Sequence, residues 1–219
     1  MADQLNFSDK RIKCLNIGSS SKSYREIIKP YVWEYVIQVI ERLGTITHLD
    51  AKSDVGVDIC GDLADPAFRA KVSRQKYDLI LCNNILTHVQ DPDHVYELIS
   101  ECLADDGFVI LSAPSQYPYC ADPFDSKYRP TRADIEKKLP HLQTIKFLRF
   151  DSNETMLSRF VSNKHLLLAF VLNILVPRRG FSVWINIVGD LLNLNKPFST
   201  VGLVMNQKSS LRGPFRSNT

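Results

Sequence analysis

The sequence predicts an α/β protein built on an open, mainly parallel sheet with helices on both faces. The first observation behind this is residues 77–114, YDLILCNNILTHVQDPDHVYELISECLADDGFVILSAP. Leu79-Ile80-Leu81-Cys82 and Phe108-Val109-Ile110-Leu111 are short apolar runs of the kind that form central parallel strands. Between them Asp91 suits an N-cap, Pro92 the first helical position, and Val95, Leu98, Ile99 and Cys102 recur at helical spacing before Gly107. Such a βαβ unit implies a right-handed crossover. The second observation is order: Gly18, Asp50, Asp62 and Asn83 fall at the carboxyl ends of successive expected strands, where open α/β sheets bind ligands.

The elements follow in sequence. Arg11 to Ile17 is a first strand ending in Gly18-Ser19-Ser20-Ser21. Tyr31 to Leu43 is helical by the spacing of Val32, Val36, Val39, Ile40 and Leu43, and Gly44 stops it. Thr45 to Leu49 is a second strand ending on Asp50, and Val55 to Cys60 a short third, ended by Gly61-Asp62. Asp65-Pro66 opens a helix through about Val72. Strands four and five are the two apolar runs above. Thr131-x-x-Asp134 resembles a capping box for a helix to Leu139, which Pro140 stops. Gln143 to Phe150 is a sixth strand, Ser199 to Met205 a seventh, and Leu211 to Thr219 has the polar composition of a frayed tail.

Composition bounds the rest. The 219 residues suit one domain with a substantial core, expected to take in the whole of 1–219. The net charge of +3 is too small to argue for nucleic acid. Five cysteines form no C-x-x-C pair and are odd in number; four lie in or beside apolar segments, as buried reduced thiols do. MADQLNFSDKRIK has no apolar h-region, so a cytoplasmic protein is expected.

The 77–114 stretch resembles the second half of the class I S-adenosylmethionine-dependent methyltransferase fold. The matching words are Tyr77-Asp78, Asn83-Asn84, Leu86-Thr87-His88-Val89, Asp91-Pro92 and Leu103 to Gly107, and the resemblance extends over about the first two thirds of the chain. It implies a Rossmann-like seven-stranded sheet whose antiparallel seventh strand inserts between five and six. It also implies S-adenosylmethionine as cofactor. The family's D-x-G-x-G-x-G turn reads here Asn16-Ile17-Gly18-Ser19-Ser20-Ser21: Gly18 is kept, Asn16 replaces the acid, and serines replace later glycines. Cofactor-binding residues are then Asn16, Gly18, Ser19, Asp50 for the ribose hydroxyls, Asp62 near adenine, and Asn83 at the mouth. Gly18 and Asp50 lie further apart than in the related dinucleotide fingerprint. The segment from Ser23 to Pro30 fills that length, with Tyr24 and Arg25 placed to cover the cofactor. The plainer reading of each residue is a turn, a cap or a loop.

Methyl transfer from a sulfonium needs positioning and, for a hydroxyl acceptor, a base. His88, just after strand four, is the candidate catalytic residue, with hydrogen bonding to nearby backbone as its other reading. The segment from Ser112 to Thr131 resembles the P-x-x-Y-P-Y-H-x-D-P-x-D-x-x-R-P-T loop of small type 11-like methyltransferases associated with glycan or surface-polymer biosynthesis, with Cys120 in place of the histidine. Tyr117, Tyr119, Asp122, Asp125 and Arg129 are the candidate acceptor residues; a loop held by packing and turn hydrogen bonds is the equal alternative. No metal-ligand spacing emerges, because His88, Asp91 and His94 read as a turn and a helix start.

Residues 154–194 are an apolar insert of about forty residues before the last strand, too long for a bare loop, so helices are expected there. His165 to Pro177 is too short to span a bilayer, and Arg178-Arg179 follow. Two apolar helices joined by a basic turn suit a lid, a homodimer interface or a peripheral membrane contact, against the plainer packing of a helical pair on the sheet. The reading is an S-adenosylmethionine-dependent methyltransferase acting on a small-molecule or glycan hydroxyl. The alternatives are a catalytically weakened relative serving as a binding or scaffolding protein and, with less support, a nicotinamide-dependent oxidoreductase, which lacks its G-x-G-x-x-G after strand one.

Overall fold

The computed structural model describes residues 11–119, 124–175 and 181–207. Its seven-stranded sheet has the order β3-β2-β1-β4-β5-β7-β6. The strands are β1 (Ile12–Ile17), β2 (Gly44–Asp50), β3 (Ile59–Cys60), β4 (Tyr77–Asn83), β5 (Leu103–Gln116), β6 (Leu142–Thr155) and β7 (Pro197–Gln207). β1 to β5 pair parallel, while β7 runs antiparallel between β5 and β6, the expected arrangement. The helices are α1 (Pro30–Val32), α2 (Gln38–Leu43), α3 (Pro66–Val72), α4 (Asp93–Cys102), α5 (Arg132–Lys138), α6 (Met156–Ser162), α7 (Lys164–Leu175) and α8 (Phe181–Gly189).

Two-residue alternation divides the core. Leu15, Ile17, Ile80, Cys82, Val109 and Leu111 face the larger cluster with Val95, Leu98 and Ile99 of α4 and Ile135 of α5. Ile12, Cys14, Leu79 and Leu81 face the other way, beneath Val36 and Ile40. Burial on both faces explains the unbroken apolar run Leu79–Cys82 in β4. Burial also pushes the thiols of Cys14, Cys82 and Cys102 up to about 12, so these cysteines stay protonated. Cys60 is exposed, and Cys120 lies outside the described residues.

Several boundaries differ from the sequence expectation. The third strand is only Ile59–Cys60, because residues around Gly56 (φ +80°) turn instead of extending. The first helix begins earlier, with wider turns at Tyr24–Ile28 and Trp33–Ile37 flanking α1; Pro30 withholds an N–H from the regular ladder. α4 starts one residue late, although Asp91 still caps by accepting the Asp93 N–H at 2.9 Å. Thr131 and Asp134 form the expected capping box of α5. β6 runs on to Thr155, so the insert's helices begin at Met156; among the described residues α6 precedes the expected apolar pair, α7 and α8, and a 3₁₀ turn at Asp190–Asn193 follows it. Thr155 makes a second capping box, which the sequence reading missed. The tail at 211–219 lies outside the described residues.

One cross-strand pair links β1 to β2 on the smaller-cluster face. Asn16 and His48 are in register, and the Asn16 amide contacts His48 Nδ1 at 3.2 Å in a buried setting. Burial, with Arg25 nearby, lowers the His48 pKa from 6.5 to about 4. Between those values the unfolded chain binds the extra proton and the folded chain does not, so stability falls as pH drops from about 6.5 towards 4. The loss by the lower limit is on the order of 3 kcal/mol. Denaturant melts from pH 7 to about pH 4.5 should show this decline, and His48→Gln should flatten it; equal slopes for the two proteins would contradict the assignment.

Candidate functional site

β1 ends at Ile17 and the chain turns at Gly18, whose φ of +69° lies in the left-handed region. A Cβ at this position would sit 2.2 Å from Ile85 Cδ1, so both backbone angle and close packing call for glycine. Ser20 is also left-handed, at φ +57°. The serine turn is tied down from two sides. The N–H groups of Gly18 and Ser19 donate to the Leu49 carbonyl at 2.9 and 3.0 Å, and the Ser20 N–H donates to Asp50 Oδ2 at 2.8 Å. From below, Arg25 Nη1 donates to the carbonyls of Ser19 and Ser20 at 3.1 and 2.5 Å, and Nη2 to the Gly56 carbonyl at 2.8 Å.

Arg25 was expected to cover the cofactor. Its side chain is largely buried, at 4% exposure, with the guanidinium bonded to three carbonyls beneath the turn, and the residue still lines the cleft. Its burial lowers the guanidinium pKa, an effect that Asp58, Glu26 and Asp50 oppose. Tyr24 does line the cleft above.

That cleft opens at the carboxyl ends of β1, β2 and β4 and has a volume of about 1270 Å³. Asn16, Gly18, Ser19, Asp50, Asp62 and Asn83 all line it, as does His88. Asp50 already accepts from Ser20 and, through Oδ1, from the Lys52 N–H at 3.0 Å, yet each carboxylate oxygen keeps a second lone pair. Asp62 Oδ1 accepts the Ala64 N–H, and Asn83 Oδ1 accepts from Ser112 Oγ at 3.0 Å. Asn84 beside it has φ +56°, so two of the three described non-glycine residues with positive φ, Ser20 and Asn84, border this mouth. Asn16 lies deeper, its amide committed to His48.

His88 Nδ1 meets the Phe124 carbonyl at 2.8 Å. A carbonyl only accepts, so Nδ1 carries the hydrogen and, in the neutral ring, Nε2 holds a lone pair. The acceptor candidates stand elsewhere. Tyr117, Tyr119, Asp125 and Arg129 do not line the large cleft. Asp125 and Arg129 are brought together with each other, Nη1 to Oδ1 at 2.9 Å and Nη2 to Oδ2 at 2.6 Å. Arg129 also donates to the carbonyls of Tyr117 and Pro118, which makes the pair a brace of the loop. Tyr117 packs on Phe198 with ring centroids 4.9 Å apart, and Arg159 lies 4.6 Å over Phe198. The Tyr119 N–H donates to Asp190 Oδ2 at 3.0 Å. Asp122 lies outside the described residues.

Sequence reasoning missed His48, Ile85 and Asp190. Only strand register pairs His48 with Asn16, and only the tertiary fold brings the insert's Asp190 to Tyr119 across 71 residues. No spacing in the sequence signals either.

A family model described as a methyltransferase domain matches residues 8–169. The chain belongs to this methyltransferase family. No curated protein matches its sequence. Among solved structures, coclaurine N-methyltransferase bound to N-methylheliamine and SAH aligns with 94% of the chain and 68% of its own, at 12% identity and a TM-score of 0.52. TehB from Haemophilus influenzae aligns at 10% identity and a TM-score of 0.51, and the present chain covers 94% of itself but only 60% of TehB. A SAM-dependent methyltransferase from Archaeoglobus fulgidus aligns at 13% identity and 0.50, over 94% and 90%. At such identities the likeness is one of fold. Family and fold are those of a methyltransferase, and they set aside the nicotinamide-dependent alternative.

The Arg25 clamp carries a prediction. Arg25→Met removes the side-chain bonds to the carbonyls of Ser19, Ser20 and Gly56, at a cost on the order of 1–3 kcal/mol. Thermal melts should show the loss, and calorimetry should show weaker S-adenosylmethionine binding. Unchanged values in both would mean that the turn holds its shape without the clamp.

Proposed function

We propose that the cleft at the ends of β1, β2 and β4 holds S-adenosylmethionine for transfer of its methyl group to a hydroxyl of a small molecule or glycan. The observation that carries this reading is the turn at Gly18: its left-handed angle, its closeness to Ile85 and the Asp50 carboxylate bonded to Ser20 N–H form one cradle. Gly18 and Ser19 would pass the methionine end, Asp50 would accept from the ribose hydroxyls, and Asp62 and Asn83 would border the adenine side and the mouth. The bound cofactor supplies an already activated methyl group on a sulfonium.

The chain's own contribution is orientation and proton handling. His88 Nδ1 is held by the Phe124 carbonyl, which leaves Nε2 to take the acceptor hydroxyl's proton. The hydroxyl acceptor and its glycan class rest on the resemblance of the Ser112–Thr131 loop, and the Asp125–Arg129 brace gives that loop a defined shape. The acceptor would meet the site between His88 and this braced loop, with Tyr117 and Tyr119 on its far side. The free thiols of Cys14, Cys82 and Cys102 support a reducing, cytoplasmic setting.

Calorimetry tests the cradle. The protein should bind S-adenosylmethionine in the micromolar range, and both Gly18→Arg and Asp50→Ala should abolish binding while the fold persists by circular dichroism. Binding that survives both changes would place the cofactor elsewhere. With labelled cofactor and a panel of hydroxylated small molecules and glycans, His88→Gln should keep binding and lose transfer by about 10²–10⁴-fold. Full transfer by that variant would remove His88 from the chemistry.

A further inference from the structure

Asn16 ends β1 where an acid would stand in the D-x-G-x-G-x-G turn, and it lines the cleft beside Gly18 and Ser19. An amide in that place has two unlike ends. Its nitrogen donates and its oxygen accepts, so what it offers a ligand depends on which way it is turned. Nothing in Asn16 itself makes that choice. A neighbour must.

The neighbour is His48, the register partner of Asn16 on β2. Asn16 Nδ2 lies 3.2 Å from His48 Nδ1, and both residues are buried. The amide nitrogen only donates, so Nδ1 is the acceptor and the ring hydrogen sits on Nε2. Burial and the Arg25 guanidinium hold the pKa of this ring at about 4, which keeps it neutral at ordinary pH. The ring's backbone is fixed as well. The His48 N–H donates to Asp58 Oδ2 at 2.7 Å, and the Asp58 N–H donates back to the His48 carbonyl at 2.8 Å. A carboxylate at position 16 could not make the same contact, since its oxygen would face the Nδ1 lone pair.

We propose that His48 is a positioning residue for the cofactor. By accepting from Asn16 Nδ2 it turns Asn16 Oδ1 towards the methionine end of the cleft, where that oxygen accepts from the ligand's α-ammonium. This deepens the cofactor reading above and rests on it. A bond from an ammonium to an oriented carbonyl is charge-assisted and among the stronger ones a neutral side chain can make. The oriented amide does with one end what a carboxylate does with either.

The test reads the preference for that ammonium by calorimetry on the full chain. The probes are S-adenosylhomocysteine and the same molecule with its α-amino group replaced by hydrogen. The unaltered protein should bind the amine-bearing probe about tenfold or more tighter. His48→Leu should lose most of that preference and still bind the deaminated probe as before, which certifies its fold. His48→Asn, whose side-chain oxygen stands near the place of Nδ1, should keep the preference. Asn16→Asp/His48→Leu should regain it, because either carboxylate oxygen accepts. A loss caused by packing alone would not be repaired by that exchange, so a double variant still without preference overturns the proposal. One reading needs no variant: nitrogen NMR on histidine-labelled protein should show His48 Nδ1 unprotonated, and a protonated Nδ1 overturns the proposal. Equal binding of the two probes by the unaltered protein, or a full preference kept by His48→Leu, overturns the role of His48 and leaves the cradle in place. Binding of neither probe overturns the cradle and this proposal with it.

Discussion

The site depends on how β1 and β4 lie side by side. They pair in parallel at the middle of the sheet, from Cys14 opposite Leu79 to Ile17 opposite Cys82. The chain leaving β1 passes to β2 on one side, and the chain leaving β4 passes to β5 on the other. Their connections diverge, which opens a crevice at their carboxyl ends that neither connection fills. Gly18, Ser19 and Asn83 border that crevice, Asn16 lies deeper in it, and Asp50 and Asp62 line it from the neighbouring strand ends.

The crevice alone would hold nothing without a turn that keeps its shape. Glycines let a backbone pass close to a ligand by removing side chains, and here three serines follow Gly18. The structure compensates by fixing the turn from outside it. Asp50 accepts from Ser20 N–H above, and the Arg25 guanidinium accounts for the carbonyls of Ser19 and Ser20 below. A left-handed serine is tolerable when neighbours hold it on both sides. Asp50 thus serves the turn and the ligand at once, with separate lone pairs for each.

The insert between β6 and β7 is coupled to this site through few contacts, but they are specific. Asp190 is half buried, and burial raises its pKa while the Tyr119 N–H opposes the shift. Arg159 of α6 stacks on Phe198 of β7 and pairs with Glu154. The hairpin of α7 and α8 stands outward from these anchors, so its apolar face is left to whatever surface it meets.

Much of this was written in local patterns. Apolar runs with flanking caps marked β4, α4 and β5, and Thr131-x-x-Asp134 marked the start of α5, because strand burial and helix capping are set by neighbours in the chain. The order of Gly18, Asp50, Asp62 and Asn83 marked the mouth, since parallel strands deliver their carboxyl ends to one edge. Local patterns were silent where partners come from afar. Arg25 gave no local sign of the three carbonyls it bonds. Asp125 and Arg129 gave no local sign that they would pair with each other. The pairing of Asn16 with His48 is a matter of register, and the reach of Asp190 to Tyr119 is a matter of topology. A residue's neighbours along the chain decide its element, but only packing decides which polar groups compete for it.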